Sequence, residues 1–386
     1  QGFNDAEFSL MLPWMRALCF LLVTVCQAER EDGSLLQLKS SEIVTTLQGL
    51  RSSCLGGLRE CLPQAEIYRS LIWSKVEALE GPSDWLPNMT WQSSYSIFNT
   101  LDDAMAFMSC SDGSDDLVLF YRHIWKAAGH SIFENLERAG RIHGAAGSSN
   151  LSFKVIGSME FCGNFDPRNS RHFAFTFVRD PISRFLAGYS EIEKRVREQR
   201  PGFESLIKTL EQYPAGSVLR ATAFFQEFLK NGINGDGHVK PQVEYLGQSQ
   251  GCSIPMRFVG RVENITIDWP RMFHDAHCDQ RNFDTALGLH PNDPRDRSSM
   301  EALIRNPPEE YGPFALASTD EVTSAATSLQ KREVASMQEV LTKSSALHLR
   351  TLCWIYLPDF AVFRYEPPQL CQEEPALREI LQQIGL

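Results

Sequence analysis

The clearest pattern along the chain is a short continuous apolar run, Leu117, Val118, Leu119, Phe120 and Tyr121, bounded upstream by the turn-rich stretch from Cys110 to Asp116. A run of that length without polar alternation predicts a parallel strand covered on both faces. A second run, Phe173 to Val178, predicts another strand ending at Arg179-Asp180-Pro181. Pro181 suits the first turn of a helix that continues through Arg184, Phe185, Leu186, Tyr189 and Ile192. Shorter strands are predicted at Phe153 to Gly157 and Arg257 to Val262. Helices are predicted at Phe203 to Gln212, at Ser217 to Lys230 and over a long stretch from about Thr319 to Leu349 that leads into Leu352 to Tyr365. Upstream, Leu35, Leu36, Leu38, Ile43, Leu47 and Leu50 recur at helical spacing, and Glu66 to Leu79 predicts a further helix before Gly81-Pro82. Strands alternating with helices imply an α/β domain with a mainly parallel central sheet flanked by helices. The expected division is a leader over 1–28, a helical stem over 29–112, the α/β domain over 113–368 and a tail over 369–386.

At 386 residues and 43% hydrophobic content, the chain is long and apolar enough for a sizeable core. Its 37 basic against 48 acidic residues argue against nucleic acid as partner, so any anion site must be local. Lys194, Arg195, Arg197 and Arg200 read as a solvated helix face rather than a binding strip. The leader starts at Met11, with Arg16, an apolar run from Ala17 to Val25 and then Cys26-Gln27-Ala28. That is the pattern of a cleavable signal peptide, with a short membrane anchor or no targeting role as the alternatives. The expected location is the lumen or membrane of the secretory pathway, the Golgi in particular, with secretion as a further outcome. Ten cysteines, less Cys19 and Cys26 in the leader, leave eight, an even number compatible with disulfides, and no pair has zinc-ligand spacing. Cys54 and Cys61, Cys252 and Cys278, and Cys353 and Cys371 each bracket a segment, although connectivity stays open. Sequons at Asn88, Asn150 and Asn264 agree with the same compartment.

Between the first strand and a helix expected to begin at Ser131 lie Lys126, Ala127, Ala128 and Gly129. Residues this small let backbone N–H groups approach a ligand, with the positive end of a helix dipole behind them, so the junction suits a phosphate or sulfate. The glycines of a nucleotide-hydrolase phosphate loop precede its Lys-Ser/Thr pair, whereas here Lys126 precedes Gly129, which argues against a nucleotide-dependent kinase. In parallel sheets ligands sit beyond the carboxyl ends of the strands, so the junctions carrying Lys126, Ser131 and Arg179 are expected to share one crevice. Arg179 suits a second anionic group through its planar fork.

The stretch HIWKAAGHS, residues 123–131, resembles the HIPKTAGTS form of the loop that binds the 5′-phosphosulfate in PAPS-dependent sulfotransferases. FVRDPISRFLAGY, residues 177–189, resembles the F-V-R-(D/E)-P-x-x-R-x-x-S-x-Y stretch that binds the donor's 3′-phosphate. Three weaker echoes follow in order: His238 to Gln242, Phe258 to Asn264, and Ile355 to Tyr365. Together they resemble the Golgi carbohydrate sulfotransferases, the group that includes chondroitin and HNK-1 epitope enzymes, over about 117 to 366. The resemblance implies a P-loop-like sulfotransferase fold, PAPS as co-substrate, no metal, and transfer of a sulfuryl group to a hydroxyl or amine of a glycan. It implies donor contacts from Lys126, Ala127, Ala128, Gly129, His130, Ser131, Arg179 and Arg184, with Arg184 open to the alternative of a structural partner for Asp180. Lys126 is expected to stabilise the bridging and leaving oxygens. Candidates for the general base are Glu160 and His238, with His143 and His172 behind them; for each, a structural role is the competing reading. The chain departs from the pattern at Trp125 for Pro, His130 for Thr and Ala187 for Ser. The last removes one hydroxyl donor to the 3′-phosphate, worth roughly 1.5 to 3 kcal/mol, and leaves a non-catalytic nucleotide- or glycan-binding homologue as an alternative.

Overall fold

In the computed structural model the residues described are 40–56, 67–68, 71, 105–109, 117–129, 132, 136, 153–156, 164–231, 236–246, 254–277, 321–343 and 347–386. Five strands form one sheet: β1 (Met105–Ser109), β2 (Val118–Arg122), β3 (Phe153–Ile156), β4 (His172–Val178) and β5 (Phe258–Arg261), in the order β3-β1-β2-β4-β5. β2, β4 and β5 run parallel, with Arg122 opposite Thr176 and Phe177 opposite Gly260. β1 is antiparallel to both β2 and β3, so the sheet is mixed, with its parallel half carrying the two predicted strand-to-helix junctions.

The period-two alternation of the strands sorts side chains between two faces. Leu119, Tyr121, Phe173, Phe175 and Phe177 join the larger core, while the intervening Phe120 and Ala174 join a smaller cluster with Phe165 and Ile254. Every residue of β4 after His172 is buried, as expected of a strand with neighbours on both edges and cover on both faces. Gly260 is required where β5 passes β4, because a Cβ there would lie 2.3 Å from the Phe177 ring.

The helix predicted after β4 is α2 (Pro181–Arg197), named after α1, residues 40–55. Asp180 caps α2 by accepting the Ser183 N–H at 2.8 Å, and Pro181 occupies the first turn, where a missing N–H costs nothing. Phe185, Tyr189, Ile192 and Val196, at helical spacing, turn into the core. They meet α4 (Val218–Asn231), which follows α3 (Glu204–Leu210): Tyr189 packs edge-on to Phe224 with centroids 4.6 Å apart, and Phe185 lies 5.2 Å from Phe228. A buried ion pair crosses the same seam, with Arg220 of α4 donating to both oxygens of Glu193 at 2.9 and 3.0 Å and to the carbonyl of Leu210 at 2.8 Å.

Further on come α5 (Val243–Leu246), α6 (Ile265–Asp275), α7 (Glu321–Lys343), α8 (Leu347–Ile355), α9 (Leu357–Phe363), α10 (Gln369–Gln372) and α11 (Pro375–Gln383). The expected long helix to Leu349 is therefore two elements, α7 and α8. Cys353 of α8 and Cys371 of α10 form a disulfide that ties the C-terminal helices together. Cys54 is also disulfide-bonded, whereas Cys61, Cys252 and Cys278 lie outside the described residues.

The stem meets the α/β domain directly. β1 falls within 29–112 yet pairs with β2 and β3, so the sheet begins before the expected boundary at 113. Ile43, Leu47 and Leu50 of α1 belong to the main core, the Met256 N–H donates to the Leu55 carbonyl at 2.9 Å, and beyond α1 the Tyr68 hydroxyl donates to the Trp354 carbonyl. The helical periodicity there marks a face packed on the α/β domain. Leu35, Leu36, Leu38, most of the helix predicted at 66–79 and the leader lie outside the described residues. Among the described residues, no helix is long and apolar enough to cross a membrane.

Removing one member of a buried ion pair strands the other charge, at a cost of about 3 to 5 kcal/mol. Arg220→Ala is expected to lower unfolding free energy by that amount in denaturant titration, and a loss below 1 kcal/mol would contradict the tie between α2 and α4.

Candidate active site

Because β2 and β4 are parallel neighbours, the loops leaving their carboxyl ends emerge side by side. The loop after β2 runs through His123, Ile124, Trp125, Lys126, Ala127, Ala128 and Gly129. Lys126 (φ 64°) and Ala128 (φ 56°) are both left-handed, a conformation that non-glycine residues adopt only where the surroundings enforce it. Such left-handed residues in a turn direct backbone N–H groups into an anion-binding concavity. The Ile132 N–H donates to the Ala128 carbonyl at 3.0 Å, so a helical turn begins where the small residues end. The His123 ring is buried beneath the loop, and a Cβ on Gly129 would fall 1.9 Å from its Nε2. Burial, aided by nearby His238, Arg122 and Lys126, pushes the His123 imidazole down to about 3, so it stays neutral.

Arg184 fixes this loop from α2. Its guanidinium has no accessible surface and donates to the carbonyls of Trp125 at 2.8 Å, Gly237 at 2.8 Å and Lys240 at 2.5 Å. Neither expected partner, donor nor Asp180, is what it faces: a side chain with no accessible surface offers a ligand nothing to touch, and Asp180 is occupied as the helix cap.

Arg179 stands at the end of β4, half-buried. Its backbone is held on both sides by one side chain, since its N–H donates to Gln242 Oε1 at 2.9 Å and its carbonyl accepts from Gln242 Nε2 at 2.7 Å. Asp359 of α9, fully buried, accepts the N–H groups of Gln242 at 2.9 Å and Val243 at 3.0 Å. Glu263 accepts the Asp180 N–H at 2.7 Å and the Tyr365 hydroxyl at 2.8 Å. The three weaker sequence echoes thus converge on the backbone of residues 179–180.

On the opposite side of the loop, Lys126 Nζ lies 2.9 Å from Glu191 Oε2, and Arg195 Nε lies 3.3 Å from Glu191 Oε1. Arg195 Nη2 is 3.2 Å from His238 Nε2, and His238 Nδ1 is 2.6 Å from Asp236 Oδ1. Arginine can only donate, so Nε2 carries the lone pair and Nδ1–H donates to Asp236. Burial pushes the His238 imidazole down, against the pull of Asp236, and keeps it neutral. Its basic nitrogen faces Arg195 and its ring lies 4.5 Å from Trp125, an enclosed position at 2% exposure. Burial also lowers Lys126, opposed by Glu191, while the Glu191 carboxylate is held down to about 2 by the Lys126 ammonium and the Arg195 guanidinium despite its own burial.

The remaining candidates divide. His130, Ser131, His143 and Glu160 lie outside the described residues. His172 sits at the start of β4, at the other end of the strand from Arg179, where Nδ1 accepts the Asp166 N–H at 2.9 Å. Glu191 and Arg195 were not anticipated. Arg195 and Arg197 do not belong to a solvated face, because Arg195 holds Glu191 and Arg197 pairs with fully buried Glu333 of α7. The available signal was the spacing of Ala187, Glu191 and Arg195, which puts all three on one helix face beside Arg184 and Gly188. Gly188 marks that contact, since a Cβ there would lie 2.2 Å from the His238 carbonyl oxygen.

A sulfotransferase family model matches residues 111–366, well over half of the chain and spanning both junctions. The chain belongs to the sulfotransferase family. No individual curated protein and no solved structure matches it. Membership makes sulfuryl transfer the general chemistry of this sulfotransferase and implies PAPS as sulfate donor. The residues fit such a donor: the left-handed loop and Lys126 on one strand end, and Arg179 on the next, supply two places for anionic groups. Among the described residues, no group of His, Cys, Asp and Glu side chains could hold a metal ion.

Asp359→Ala would leave the N–H groups of Gln242 and Val243 without their acceptor, at about 1 to 3 kcal/mol each. The Asp359 carboxyl is raised from 3.8 to about 6, by burial above all, so the folded state holds its proton more tightly than the unfolded chain. That linkage adds stability below pH 3.8 which is lost as pH rises through about 6. Unfolding free energies should therefore separate wild type from Asp359→Ala at every pH, with the gap narrowing over that window; a pH-independent gap would contradict the assignment.

Proposed function

We propose that this sulfotransferase moves the sulfuryl group of PAPS to a hydroxyl of a glycan in the secretory pathway. The observation that carries the reading is the placement of the Lys126 loop and Arg179 on adjacent parallel strand ends, each backbone fixed by buried side chains. The loop from Lys126 to Ser131 cradles the 5′-phosphosulfate, and Arg179 pairs with the 3′-phosphate. Arg184 acts on the donor indirectly, by holding the loop carbonyls. In the reaction the acceptor oxygen bonds to sulfur as the bond from sulfur to the bridging phosphate oxygen breaks, leaving adenosine 3′,5′-bisphosphate. Lys126 stabilises the charge developing on that oxygen, where a preorganised cation contributes most. The acceptor proton goes to a base; Glu160 is the carboxylate candidate. His238 would first have to leave Arg195, so its better reading is as a prop for the loop after Lys126.

A glycan acceptor is supported by the compartment. The disulfide between Cys353 and Cys371 suits an oxidising lumen, and the sequon at Asn264 lies exposed at the start of α6. The acidic balance and the ion-paired Arg195 and Arg197 argue against nucleic acid as substrate or partner. Attachment to the membrane runs through the N-terminal leader, with Golgi residence.

Purified chain incubated with sulfur-labelled PAPS and a panel of glycans should transfer label; no donor binding by calorimetry would sink the proposal, and binding without transfer would favour a non-catalytic homologue. Lys126→Ala is expected to lower kcat at least about a hundredfold, the order seen when a transition-state donor is removed, with donor affinity changed less. Arg179→Ala should instead weaken donor binding by about ten- to a hundredfold, the worth of a charge-assisted bond, without altering the order of acceptor preference.

A further inference from the structure

The Lys126 ammonium is in an awkward position for the role just given to it. It sits on a left-handed residue in a partly buried loop, with 26% of its side chain exposed, where desolvation works against its charge. The groups that face it are Glu191, Lys194 and Arg195 from α2, His123 from its own loop and His238 from the turn at 236–240. His123 and His238 are neutral and Lys194 and Arg195 repel, so Glu191 is the one anion within that set. Glu191 is not free to follow the lysine, because its second oxygen is held by Arg195. Arg195 is in turn fixed at His238 Nε2 and over the Trp125 ring at 5.8 Å, and His238 is anchored by Asp236. The result is a chain of alternating partners, Asp236, His238, Arg195, Glu191 and Lys126, that ends on the loop. Ala187, one turn before Glu191 on the same face, offers no side-chain hydrogen-bonding group, and Glu191 is the residue of α2 bonded to the lysine.

We propose that Glu191 is the positioning residue for Lys126, keeping its ammonium charged and anchored in the loop before the donor arrives, with Arg195 and His238 holding the carboxylate in place. This rests on the reading of Lys126 as the group that stabilises the leaving oxygen, but it concerns the free protein and can be judged without turnover.

The test is the titration of the Lys126 side chain in the full-length chain, followed by NMR with carbon-labelled lysine and assigned through Lys126→Arg. Glu191→Gln keeps a hydrogen-bond acceptor and removes the charge; its Lys126 signal should titrate at lower pH than in wild type. Glu191→Asp keeps the charge on a shorter arm, and its signal should fall between the two. An unchanged Lys126 titration in Glu191→Gln overturns the proposal, and if that variant does not fold, an unchanged titration in Glu191→Asp overturns it equally. With labelled PAPS, Glu191→Gln should also lose about fivefold in kcat/KM at the alkaline end of the pH profile relative to neutral pH, as expected when a charge-assisted bond becomes a neutral one. A profile parallel to wild type would count against it. If wild type neither binds nor transfers PAPS, the reading of the function fails while the titration still decides the role of Glu191.

Discussion

A guanidinium with no accessible surface must find its hydrogen-bond partners inside the protein, and Arg184 finds three, the carbonyls of Trp125, Gly237 and Lys240. That requirement binds α2 to the loop after β2 and to the turn before α5 at once. The loop carries two left-handed residues that are not glycine, a conformation that costs about 1 to 3 kcal/mol each and persists only where the surroundings over-determine it. The clamp from Arg184, with the His123 ring packed under Gly129, supplies that surrounding structure. The same geometry that satisfies a buried charge therefore shapes the place where the donor's anion is to sit.

A second set of buried polar groups does for Arg179 what Arg184 does for Lys126. Beyond the last ladder bond of β4, the backbone at 179–180 has no strand partner to continue with, and Gln242 and Glu263 take the place of one. They are held by Asp359 and Tyr365 from the C-terminal segment, which the Cys353–Cys371 disulfide draws together. Residues far apart in the chain thus meet at one strand end, which explains why the weaker motif segments sit where they do. Their chemistry is positional, and the part exposed to ligands is small.

Short apolar runs and the Asp-Pro start of a helix were legible because they depend on local burial and capping, and β2, β4, β5 and α2 appear where the pattern puts them. β1 was not legible. Its residues, MAFMS, mix apolar and small positions, and a strand that pairs only antiparallel, with partners that lie downstream beyond a turn-rich stretch, leaves no local signature. The helix of the stem is legible from its periodicity, but its partner in the core is not, because periodicity tells that a face is apolar and not what covers it.

At the site, the sequence by itself determined the kinds of group present: a small-residue loop with one lysine, an arginine at a strand end, and a helix start between them and the core. These follow from spacing within a single strand-loop-helix unit, where separation along the chain fixes separation in space. Only the tertiary structure decided which charges face ligands and which face protein. Arg184 and Arg195 look alike in the sequence, yet one is buried on carbonyls and the other links Glu191 to His238. Glu191 meets Lys126 across 65 residues, and Gln242 meets Asp359 across 117. Such contacts arise from the way helices pack over a sheet edge, and no local pattern carries that information.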